Sequence, residues 1–132
     1  MSGPDRSMRT ALGRVRHHGA AGEGTGHFIA SRWSAIALVI LAPWFVVNAA
    51  LTIGGPSYAA AIDFLTDPVN AVGVILLVVV SFYHMALGMQ EVIVDYILKP
   101  FTKIALMLLN GFGLTILAAG AVFAVLLVNF GA

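Results

Sequence analysis

The sequence predicts an all-α integral membrane protein with three transmembrane helices. Three observations carry that prediction. The 132 residues are 60% hydrophobic and 10% charged, with a mean hydropathy of +0.96, whereas an average soluble domain is roughly 25% charged. After residue 32, three apolar runs of about 20 residues or more use nearly the whole chain, each long enough to cross a hydrocarbon core. No stretch alternates as a strand would, and there is no internal repeat. The chain divides into a flexible basic tail, 1–26, and a three-helix transmembrane domain, 27–132.

The tail is polar and carries Gly19, Gly22, Gly24 and Gly26, a composition that orders only under a partner. Its Arg14, Arg16, His17 and His18 suit solvent, anionic lipid head groups or a soluble subunit. The first helix is expected from about His27 to Ile53, kinked at Pro43 and stopped by Gly54, Gly55 and Pro56. A short segment, Ser57 to Thr66, follows, with Tyr58 and Phe64 as candidate interfacial anchors. Asp67-Pro68 then reads as a helix start, an N-cap acid before a proline at the first helical position. This second helix should run about 30 residues to the break at Pro100, roughly 45 Å, and so project beyond a 30 Å core. The third is expected from about Phe101 to Asn129, with Gly120 and Ala124 spaced for close helix contact.

Charge sets the expected topology. Arg6, Arg9, Arg14, Arg16 and Arg32 precede the first run, Asp63 and Asp67 follow it, and Lys99 and Lys103 follow the second. Positive loops stay in the cytoplasm, so the N-terminus should be inside and the C-terminus outside. A net charge of +1 gives no case for nucleic acid as a partner. Absence of cysteine excludes a disulfide, an iron–sulfur cluster of the chain's own and covalent haem attachment through Cys-x-x-Cys-His. Residues 1–32 do not form a cleaved signal, because the run behind them is a full span.

Ionisable residues inside a span are costly and need a reason. The second helix gathers Ser81, His84, Gln90, Glu91, Asp95 and Tyr96, and the spacing of His84, Gly88, Glu91 and Asp95 lines up one stripe. His84 lies about 24 Å along the helix from Pro68, within the bilayer. Its imidazole suits iron ligation, proton transfer or a hydrogen bond to a neighbouring helix. Gly88, one turn on, leaves room for a flat macrocycle or for close packing. Tyr96 suits the interfacial aromatic belt, or a hydrogen bond from its phenol to the carbonyl of a lipophilic quinone. Asp95 could orient such a site or pair with Lys99 four residues on. Arg32 is a topology anchor or a partner for an acidic cofactor group such as a haem propionate. A haem with two imidazole ligands would need its second histidine from another subunit. A different class of function is also open: a small proton-coupled transporter or channel component with His84, Glu91 and Asp95 as its path.

The run Ser81-Phe82-Tyr83-His84-Met85-Ala86-Leu87-Gly88-Met89-Gln90-Glu91-Val92-Ile93-Val94-Asp95-Tyr96-Ile97-Leu98-Lys99-Pro100 resembles the hydrophobic membrane anchor of succinate dehydrogenase (succinate:quinone oxidoreductase, complex II). A weaker match is His27-Phe28-Ile29-Ala30-Ser31-Arg32 leading into the first span. The resemblance implies that His84 is an axial haem b ligand, that Tyr96 hydrogen-bonds a quinone (ubiquinone) with Asp95 beside it, and that Arg32 lies near the propionates. It implies a second membrane anchor that supplies the other haem histidine. An iron–sulfur subunit and a flavoprotein subunit would dock on the cytoplasmic side. The chain would then be one part of the enzyme and not catalytic alone. Its place would be the bacterial inner (cytoplasmic) membrane, in preference to the mitochondrial one, at the junction of the tricarboxylic acid cycle and the respiratory chain.

Overall fold

The computed structural model describes residues 23–55 and 57–131. They form α1 (Glu23–Thr52), α2 (Tyr58–Thr66), α3 (Pro68–Tyr96) and α4 (Pro100–Asn129), with no strand among the described residues. The three long helices, α1, α3 and α4, are each apolar enough to cross a membrane. The first 22 residues of the expected tail lie outside the described residues.

Local chemistry sets the boundaries. At the end of α1, Gly54 takes φ +25°, a backbone conformation that suits a residue without Cβ. A single extended residue, Asp67, separates α2 from α3, and its carboxylate accepts a 2.9 Å hydrogen bond from the Asn70 amide, with Pro68 opening the helix. At 29 residues α3 is about 43 Å long, as expected of a helix that overruns the core. It stops at Tyr96, three residues before the extended Lys99 that Pro100 requires. The Lys103 ammonium donates to the Val94 carbonyl at 2.8 Å, closing the last turn of α3 from the first turn of α4.

Helix α3 is the centre of the molecule, with α1 and α4 packed on opposite faces of it and no close approach between α1 and α4 among the described residues. The α1–α3 pair is antiparallel and held in register by named contacts. His27 meets Glu91, Ser34 meets His84, Trp44 lies over Gly73 and Asn48 donates to Asn70 at 2.6 Å. Advancing seven residues from His27 to Ser34 retreats seven from Glu91 to His84. Fourteen more, from Ser34 to Asn48, match fourteen back, from His84 to Asn70. A seven-residue step on both helices is the repeat that keeps one seam facing its partner. Three of the seam's four pairs are polar, and polar pairs fix register more than they add stability.

Four expectations change. The first helix already includes Glu23, the first described residue and four before His27; contact of His27 with Glu91 sets this stretch against α3 despite the poor helix propensity of Gly24 and Gly26. Phe64 is not an interfacial anchor. It is 3% exposed, packed edge-on against Phe45 at 6.2 Å between ring centroids, and α2 is held over α3 and α4 by Asn129, which donates to the Leu65 and Thr66 carbonyls. Gly120 and Ala124 face outward, with nothing near Gly120, and the close helix approach is instead at Gly73, where any Cβ would run into the Trp44 indole. Lys99 makes no ion pair with Asp95 among the described residues, because it lies outside both helices as the N-cap of α4.

Candidate functional site

The stripe expected on the second span exists, and α1 covers part of it. Ser34 is 6% exposed, and its hydroxyl oxygen lies 2.8 Å from His84 Nδ1, 2.9 Å from the Ala30 carbonyl and 3.0 Å from the Ser31 carbonyl. A serine one turn above two backbone carbonyls bonds back to its own helix, so its oxygen is fixed in place. His84 is half-buried, and among the described residues only Nδ1 has a hydrogen-bond partner.

Arg32 is exposed and lies nine residues into α1, with its guanidinium 4.9 Å above the Phe28 ring. Two residues from Ser34, it stands within about 3 Å of the His84 level along the bundle. A cation at that depth calls for an anionic partner or a route for its head group to water. Gly88 lies one turn beyond His84, and a Cβ there would touch nothing. Its bareness therefore serves no helix among the described residues and leaves a flat opening beside the imidazole.

Nearer the basic end of the bundle, His27 Nδ1 lies 3.4 Å from Glu91 Oε1, and His27 Nε2 is buried without a partner. His27, Gln90, Glu91, Val94 and Asp95 line a cleft of about 390 Å³. Asp95 and Tyr96 are neighbours in sequence but about 100° apart around the helix. Asp95 faces the cleft against α1. Tyr96, 79% exposed at the last position of α3, continues the face of Met85, Met89 and Val92. These three line an almost wholly apolar groove of about 620 Å³ between α3 and α4, with Asn110 on its wall. The structure therefore sets His84 and Asp95 on one face of α3 and Tyr96 on another, about 18 Å from His84 along the axis. Among the described residues no three His, Asp or Glu side chains gather to hold a bare metal ion.

The comparisons bear on a chain with this geometry. The profile described as succinate dehydrogenase/fumarate reductase transmembrane subunit matches residues 5–130. The chain belongs to that family. It is 34% identical over 114 residues to the succinate dehydrogenase hydrophobic membrane anchor subunit of Paracoccus denitrificans, covering 86% of this chain and 87% of the relative. It is 33% identical over 92 residues to the protein of the same name from Rickettsia bellii (strain RML369-C), covering 68% and 71%. The protein of that name from Rickettsia conorii (strain ATCC VR-613 / Malish 7) is 30% identical over 90 residues, with the same coverage. Membership makes the chain a multi-pass membrane subunit of an oxidoreductase complex.

Within that family setting, sequence reasoning missed Ser34, His27, Asn48 and Asn70. Their signal was present as polar residues spaced by seven or fourteen on two spans joined by a short extramembrane segment. It becomes readable only when both spans are aligned antiparallel.

Proposed function

We propose that this chain is the membrane anchor of a succinate:quinone oxidoreductase. In this reading it shares haem b with a second anchor polypeptide and forms part of the quinone-reduction site. The observation that carries the reading is the His84 ring: Nδ1 is committed to Ser34 while Nε2 has no partner among the described residues. A metal-ligating histidine typically has this arrangement, one ring nitrogen held by an outer partner and the other available. A lone imidazole cannot hold iron by itself, and a porphyrin supplies the four ligands that the chain does not. The open flank at Gly88 and the Arg32 cation at the same level suit a flat macrocycle bearing carboxylates. Haem b, when bound, supplies a one-electron iron couple. His84 would hold it from this side, Arg32 would neutralise a propionate, and a histidine of the second anchor would hold it from the other polypeptide.

Tyr96 would donate its phenolic proton in a hydrogen bond to a carbonyl oxygen of the quinone, ubiquinone in this reading. Asp95 would act from the adjoining face, and the apolar groove along the Tyr96 face suits the isoprenoid tail. The chain would lie in the bacterial inner membrane, with its N-terminus and the Lys99–Lys103 turn in the cytoplasm. There the iron–sulfur and flavoprotein subunits would dock. The proton-path alternative has less support, since His84 is engaged by Ser34 and Glu91 by His27. A reduced-minus-oxidised spectrum of the purified complex tests the proposal. Loss of the b-type bands in His84→Ala is expected, and their retention would remove the ligand assignment.

A further inference from the structure

We infer that Ser34 is the positioning residue of His84: its hydroxyl oxygen fixes the proton on Nδ1 and so presents the Nε2 lone pair to iron. The inference rests on the haem-ligand reading above and extends it to a residue on a different helix.

The argument is one of proton counting. A serine hydroxyl has one proton and can accept two hydrogen bonds, whereas a carbonyl only accepts. Ser34 Oγ is within bonding distance of two carbonyls, Ala30 and Ser31, and of one imidazole nitrogen. A ring that binds iron through Nε2 must carry its proton on Nδ1, and that proton needs an acceptor in a region where water is scarce. Among the described residues the Ser34 oxygen is the acceptor within reach. The serine proton then goes to the carbonyls one turn back, which are acceptors already, so no group is left unpaired. With both ends tied to α1, the oxygen fixes the rotation of the ring as well as its tautomer. An accepted Nδ1–H bond also makes Nε2 a stronger donor, which favours the ferric form and lowers the potential.

The test compares isosteric side chains in the assembled complex. Ser34→Thr keeps the hydroxyl, and threonine in a helix makes the same back-bond; Ser34→Val replaces the hydroxyl by a methyl. Two readouts are taken: the rate of haem loss to excess apomyoglobin, and the haem midpoint potential by spectroscopic redox titration. Ser34→Val should lose haem about 10–100-fold faster, the scale of an outer-partner deletion, and its potential should rise. Ser34→Thr should stay close to wild type in both. If valine prevents assembly, Ser34→Ala, which needs less room, carries the same comparison. Wild-type haem loss and potential in the hydroxyl-free variant, with His84→Ala devoid of haem, would overturn the role of Ser34 and leave the ligand reading intact. A complex without b-type haem, or one whose haem survives His84→Ala, would overturn both.

Discussion

Replacing Gly73 by alanine should separate α1 from α3. A Cβ at this position would stand 2.9 Å from Trp44 Cζ2 and closer still to Cη2 and Cζ3. Carbon atoms prefer about 3.5–4.0 Å, so relief demands a shift of about 1 Å or more. The indole lies against the α3 backbone at Gly73, so either its ring or the backbone of α1 must yield. Overpacking of this kind costs about 1–3 kcal/mol; at the middle of that range, the folded-to-unfolded ratio falls about 30-fold. SDS titration of the complex in mixed micelles would measure the loss. The contact also lies ten residues from Ser34, about 15 Å along α1, so a tilt there should loosen the Ser34–His84 contact and broaden the spectrum of any haem bound. Adding Trp44→Leu should restore much of the loss, a coupling of about 0.5–3 kcal/mol in the double-mutant cycle. If Gly73→Ala were as stable as wild type, or its cost were unchanged by Trp44→Leu, the seam described for α1 and α3 would be wrong at its tightest point.

Three further outcomes are expected. Asn48→Ala and Asn70→Ala should each cost about 0.6–1.7 kcal/mol in the same titration, and the double variant little more than either alone, because the pair is one interhelical hydrogen bond. Asn129→Ala should release α2 from the end of α4, seen as faster proteolysis within 58–66 with the helical content otherwise retained. Tyr96→Phe should lower quinone-reductase turnover of the complex while dye-linked succinate oxidation is unchanged, since only the phenolic donor is removed; unchanged quinone-reductase turnover would return Tyr96 to the interfacial belt.

What could be read from the residues was mostly what is local in the chain. Asp67-Pro68 starts a helix by its own capping chemistry, Lys99-Pro100 breaks one by steric restriction, and three apolar runs have the length of a membrane. The stripe of His84, Gly88, Glu91 and Asp95 follows from helical periodicity alone. Non-local facts stayed hidden. Phe64 looked like an anchor because nothing near it in sequence says that Phe45 waits across the turn. Gly120 and Ala124 carry a contact spacing that this chain does not use, whereas Gly73, with no such pattern around it, is the tight point because of a tryptophan 29 positions earlier. Ser34 is one hydroxyl among several, and only the register of two antiparallel helices makes it the neighbour of His84.

The arrangement with α3 in the middle and α1 and α4 on opposite flanks has a consequence for assembly. Three long helices in a row make a slab one helix thick, so a polypeptide laid along one broad side can touch every span in a single encounter. Burial is slight throughout, with Ser34, Phe64, Ala71, Ile93 and Val125 the buried residues among those described. Such a slab has little interior of its own to complete, and most of its side chains are left for lipid or neighbouring polypeptides to cover.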